Sequence, residues 1–140
     1  MAVRNKGQTI VEFALVVPMM VLIFLTTIYA GITFLDYLQY NNAARAAARD
    51  ISITSSGSRA NLIDNINKQE EATLKRYATP IAKLYSPNWT AEFLDEAGNH
   101  TDDETKAYDV HINITLSRDK EILNFLPKNL KSIDCQMRLE

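Results

Sequence analysis

The spacing of apolar and polar positions changes character along this chain, and each change marks an element. From Phe13 to Leu35 the sequence FALVVPMMVLIFLTTIYAGITFL carries no charge and no polar face. As an α-helix, at about 1.5 Å per residue, it spans roughly 34 Å, slightly more than a hydrocarbon core. Beyond Leu35 the segment DYLQYNNAARAAARD continues a helical pattern, and five of the eight residues from Ala43 to Asp50 are alanine, the best helix former. β-Branched residues, serines and Gly57 then break the pattern, so residues 51–60 are expected to form a linker.

A second helix is expected from Asn61, with Asn61 and Asp64 in the places of a capping box. Leu62, Ile66, Leu74, Tyr77, Ile81 and Leu84 recur at helical spacing as a core-facing stripe, and Pro80 bends or ends the helix. Strands follow near Trp89–Leu94, Tyr108–Leu116 and Ser132–Leu139. The second and third alternate apolar with polar residues, and a helical turn KEILNF precedes Pro127. Ile133, Cys135, Met137 and Leu139 share one face, which makes Cys135 a buried core thiol. The predicted fold is α+β: a long hydrophobic N-terminal helix, a second amphipathic helix and a small antiparallel β meander. A head of about eighty residues has a marginal core, so it is expected also to pack on the upper part of the first helix.

Charge sharpens this division. The chain of 140 residues has 15 Lys+Arg and 17 Asp+Glu, but only Arg4, Lys6 and Glu12 precede residue 36. The remainder therefore holds 13 basic and 16 acidic residues, an acidic balance that argues against nucleic-acid binding. A simple cytosolic globule is excluded as well. One cysteine excludes an internal disulfide and a cysteine-built zinc site. The acidic loop Asp95–Glu104 lacks the register of an EF-hand, and its reading is a solvated hairpin. His100 and His111 have no second ligand at helical or strand spacing, and no nucleophile elbow, P-loop or dinucleotide motif is present. No catalytic residue, metal or cofactor is expected.

The apolar run is longer than a cleavable signal's core, and no small-residue exit suits a signal peptidase. It is therefore expected to stay on the protein as a single membrane pass. Basic residues lie on both sides of it, with Arg4 and Lys6 before and Arg45 and Arg49 after, so the charge rule is nearly balanced. The acidic head with its turn-rich strands favours a cytoplasmic N-terminus and an extracytoplasmic head. Pro18 inside the run removes one backbone donor, and a bend is expected there. Glu12 stands at the very start of the run. It is either solvated at headgroup level or neutralises a cation supplied by a partner. Arg45 and Arg49, four apart on one helix face, are either a solvated stripe or contacts to neighbouring subunits.

The string Gly7-Gln8-Thr9-Ile10-Val11-Glu12-Phe13 resembles a class III prepilin signal, with a short basic leader, a glycine at the cut and Glu at the fifth mature position. The longer GQTIVEFALVVPMMVLIF, followed by LDYLQYNNAARAAARD, resembles the TadE/TadF-like minor pilins, or pseudopilins, of tight-adherence pili. The likeness covers roughly residues 6–50, with an echo in YDVHINITL, Pro127 and SIDCQMRLE. It implies a leader of residues 1–7, an assembly helix over 8–50 and a head over 61–140. A prepilin peptidase would cut after Gly7 and expose Gln8, a residue that stands where type IV major pilins have Phe. The new ammonium would pair with Glu12 of a neighbouring subunit, and Phe13 and Pro18 belong to the same assembly segment. The implied partners are the bilayer, the peptidase, other pilin or pseudopilin subunits and the pilus machinery; the implied site is the inner membrane or a surface pilus. The rival from another class is an uncleaved, signal-anchored protein with a ligand-binding extracytoplasmic head.

Overall fold

The computed structural model describes residues 2–81, 83–118 and 127–140, with side chains of the first helix from Thr9 onward. Three helices and four strands follow in order: α1 (Ala2–Ile53), α2 (Arg59–Asn67), α3 (Glu71–Tyr77), β1 (Ser86–Leu94), β2 (His100–Thr101), β3 (Asp109–Ser117) and β4 (Ile133–Arg138). The class is α+β, as the sequence predicts. The chain divides into two compact units, residues 1–35 and 36–140, and α1 contributes to both. The expected KEILNF turn lies outside the described residues.

In the first unit, α1 runs without interruption through Pro18. The hydroxyls of Thr26 and Thr27 donate to the carbonyls of Leu22 and Ile23, four residues back and 2.8 Å away in each case. These two threonine hydroxyls are thus satisfied by the helix's own backbone.

The second unit owes its core to a stripe on α1. Tyr40, Ala43, Ala44, Ala47, Ala48 and Ile51 are all buried, spaced three and one as one face of a helix requires. Against them lie the inward residues of an antiparallel sheet of strand order β2-β1-β3-β4: Trp89, Ala91 and Phe93 from β1, Val110, Ile112, Ile114 and Leu116 from β3, and Ile133 from β4. The register Ala91↔Ile112 and Ile112↔Cys135 keeps these side chains on one face. Four alanines leave room for the larger sheet residues. The expected packing of the head on the first helix is therefore present within this unit.

The same packing moves a boundary. Residues 51–53, expected in the linker, form the last turn of α1 because Ile51 extends the buried stripe. Burial outweighs the modest helix propensity of β-branched residues there. The turn occupies residues 54–58, and α2 opens at Arg59 after Ser58. The expected capping box at Asn61 and Asp64 is not formed; Asp64 instead pairs with Lys68 at 2.5 Å.

The expected second helix is two helices. Gln69, at φ 56, breaks it between α2 and α3, and the break serves the sheet edge. The Asn67 carboxamide donates to the Ala91 carbonyl (2.9 Å) and accepts from the Ala91 N–H (2.7 Å). Gln69 does the same at Trp89, at 2.6 and 3.3 Å. Two side chains two residues apart thus stand in for a neighbouring strand along the part of β1 that the short β2 does not reach. Pro87 removes a further donor from β1. Helix α3 ends at Tyr77, three residues before Pro80, and Ile81, expected on the core stripe, is exposed.

β1 begins three residues earlier than expected, and the acidic loop contains β2. Cys135 is half-buried at the margin of the core rather than within it. It sits on a strand at the end of the sheet order, where fewer neighbours close over it.

Candidate assembly surface

The residues singled out by sequence fall into two groups. Gly7 and Gln8 lie in the second turn of α1. From there the helix presents apolar side chains on every side: Ile10, Val11 and Phe13, then the run through Leu25, Ile28, Phe34 and Leu35, are all exposed, Phe13 at 70% and Leu22 at 64%. The helix is long and apolar enough to cross a membrane, and none of its apolar window is buried inside the chain. Glu12 is exposed at the start of this surface, one residue before Phe13. A soluble monomer rarely leaves so large an apolar patch facing water, and a patch of this size marks a membrane or protein-interaction surface.

Arg45 and Arg49 lie outside the buried alanine stripe of α1, and both are exposed. Arg45 stands close enough to Cys135 to favour its thiolate, which opposes the larger effect of burial; the thiol's pKa is raised on balance. Asp36 and Asp50, on the same helix, tie the unit together. Buried Asp36 accepts the N–H of Ile81 at 2.9 Å, and Asp50 accepts the Tyr77 hydroxyl at 2.7 Å. Arg59 donates to the carbonyls of Thr54, Ser52 and Glu140, which joins the turn after α1 to the chain's last residue. Sequence reading singled out none of these three, because each acts through a partner distant in the chain.

The acidic loop uses its carboxylates on its own backbone. Asp95 accepts from the N–H groups of Ala97 and Asn99, and those hydrogen bonds hold its carboxyl below the usual range. Asp103 accepts from the N–H and hydroxyl of Thr105, with the same result. Both oxygens of Glu104 accept the N–H of Gly57 at 3.0 Å, and Gly57 has φ 91, a conformation suited to glycine. Among the described residues no three His, Cys, Asp or Glu side chains are grouped to hold a metal ion.

The two histidines are nevertheless joined. Glu92 meets His111 Nδ1 at 2.9 Å and His100 Nδ1 at 3.3 Å, while Asp102 and Asp134 flank them at 3.1 and 3.6 Å. Asp134 also accepts from the Asn113 carboxamide. Glu92 lies directly across from His111 in the β1–β3 register, so this row laces the polar face of the sheet. Alternation in the sequence marks the polar positions; only the register says which of them meet.

The family model described as TadE-like protein matches residues 7–49. The match begins at the glycine of the expected cleavage site and ends at Arg49, so it takes in the apolar surface and most of the alanine stripe. It is the family to which the sequence points. Residues 50–140 lie outside the match, and no curated protein and no solved structure matches the chain.

Proposed function

We infer that a chain with a TadE-like segment over residues 7–49 acts as a minor pilin or pseudopilin of a tight-adherence pilus assembly system. The observation that carries this reading is a coincidence of position: the family match falls on the same stretch of α1 whose apolar side chains are exposed on all sides. The first unit works by being covered, first by lipid and then by the helices of other subunits. The protein sits in the inner membrane as a single pass, with its N-terminus cytoplasmic and its head outside, and passes into the surface pilus or its base. Its role is structural packing in support of adhesion, without catalysis.

A prepilin peptidase cuts after Gly7, removes Arg4 and Lys6, and leaves Gln8 as the new N-terminus. Its ammonium on one subunit then meets Glu12 of the next. A carboxylate moved to hydrocarbon depth costs on the order of 2.5–3.5 kcal/mol on insertion scales, and a cation placed beside it offsets part of that cost. The pair therefore fixes register between stacked helices more than it adds stability. Arg45 and Arg49, on the solvent side of α1, contact the acidic heads of neighbouring subunits.

Two measurements test this reading. The intact mass of the protein from its native membrane is expected to correspond to residues 8–140; a full-length mass from cells containing an active prepilin peptidase would favour the uncleaved anchor. Glu12→Ala is expected to insert normally and to disappear from the assembled pilus or partner complex. Normal incorporation of that variant would end the pairing mechanism.

A further inference from the structure

Ile81 is held in place and yet left bare. Its side chain is 68% exposed, although helical spacing assigned it to the core. Its backbone is nonetheless fixed: the Ile81 N–H donates to Asp36 Oδ1 at 2.9 Å, and Asp36 is buried. Two residues on, Lys83 adopts φ 49, a left-handed conformation that costs a lysine energy. A single exposed isoleucine is ordinary on a soluble surface. One held outward by a buried carboxylate, beside a strained backbone, calls for a reason.

The continuity of α1 supplies it. Asp36 is the first charged residue after the run from Phe13 to Leu35, and α1 passes through both without a break. That run, at roughly 34 Å, is used up in crossing hydrocarbon, so Asp36 falls at the headgroup layer on the head's side. Ile81, bonded to Asp36, lies at the same level. We propose that Ile81 docks into this headgroup layer and gives the head a shallow membrane contact of its own. The proposal rests on the reading of α1 as a membrane pass.

The neighbouring residues fit a lipid surface. Leu35 and Leu38 bracket Asp36 on α1 and are both exposed, so apolar surface continues past the first charge. Lys83 is the only charged residue between Tyr77 and Tyr85, and it is exposed. The carboxylate it acts on, Glu71, is held more closely by Lys75 at 2.6 Å. A lysine two residues from a docked isoleucine extends its ammonium toward the lipid phosphates and keeps the insertion shallow.

The test uses the full chain in nanodiscs of phosphatidylcholine and phosphatidylglycerol, with Cys135→Ala to remove the native thiol. A nitroxide is attached in turn at Ile81→Cys, Lys83→Cys, Ile53→Cys and Leu22→Cys. Power saturation reads its collisions with a neutral nickel chelate in water and with oxygen, which concentrates in lipid. Ile53, 60% exposed and roughly 25 Å along α1 from Asp36, is the water reference. The Ile81 label is expected to lose most of the nickel collisions seen at Ile53 and to lie about 5–10 Å inside the headgroup boundary. The Lys83 label should show a smaller loss in the same direction, which keeps the test standing if the Ile81 variant fails to fold. Labels at Ile81 and Lys83 as open to nickel as the one at Ile53 would overturn the proposal. Leu22 separates that result from failure of the membrane reading. If its label is sheltered from nickel, the docking alone falls; if it is open to nickel, the membrane pass falls and the docking with it.

Discussion

The first unit, residues 1–35, and the second, residues 36–140, divide one helix between opposite uses of apolar side chains. Before residue 36 the described apolar residues of α1 are mostly exposed, and they surround the helix. After it they are concentrated on one face: Ala44, Ala47 and Ala48 are fully buried, while their neighbours Arg45, Ala46 and Arg49 are exposed. Hydrophobicity alone does not make a core. A helix apolar on every side asks to be surrounded by lipid or other helices, and a helix apolar on one side asks for a sheet.

The contrast is sharpest between equivalent deletions in the two units. Ile112→Ala, in the middle of β3, is expected to lower the unfolding free energy of the head by about 2–5 kcal/mol. Leu22→Ala should change it by no more than about 0.5 kcal/mol, because that side chain is exposed. Urea unfolding followed by Trp89 emission measures both, and equal losses would erase the distinction between the units.

A smaller effect separates two faces of a single turn. Ala47→Leu forces extra volume into a packed contact and should cost about 1–3 kcal/mol, whereas Ala46→Leu, exposed one residue earlier, should be close to neutral. The melting temperatures of the two variants read the difference directly. The reverse order would put the sheet on the other side of α1.

The smallest effect concerns pH. Burial, then the hydrogen bond to Asp50, raise the pKa of Tyr77 above its ordinary value of 10, and Tyr40 is raised to about 12. For a group whose pKa is raised by folding, the stabilising contribution is complete below the unfolded pKa and is lost as pH climbs through the folded one. The head should therefore hold its stability to about pH 10 and lose it progressively above that. Tyr77→Phe should cost about 1 kcal/mol at neutral pH, through loss of the bond to Asp50, and make the alkaline loss shallower. Unfolding curves at pH 7 and at several values above 10 check both statements; an unchanged alkaline slope would remove Tyr77 from the account.

Much of this architecture can be read in the chain because it rests on local periodicity. The apolar run, the alanine stripe and the alternation in β3 and β4 are one-dimensional signals, and each element formed near its expected place. The TadE-like segment is readable for the same reason, since its glycine, carboxylate, proline and alanines lie within one continuous helix. The expectation of a single long second helix failed because Asn67 and Gln69 are spent on the backbone of β1, 24 and 20 residues away. No local propensity records such a demand. The linker boundary moved for a similar reason, since Ile51 stays helical by virtue of the sheet that covers it.

The sequence by itself thus determined where apolar surface is produced: around the helix before residue 36, along one stripe after it, and on alternate positions of two strands. Tertiary structure alone decided which polar groups meet. The pairing of Glu92 with His111, the cover that Asn67 and Gln69 place over β1, and the burial that leaves the Tyr40 hydroxyl without a partner among the described residues all depend on register and on contacts between distant segments. Burial of apolar area has no direction and so can be read from composition and period. Hydrogen bonds and cavities require particular atoms at particular distances, and those exist only once the chain is folded.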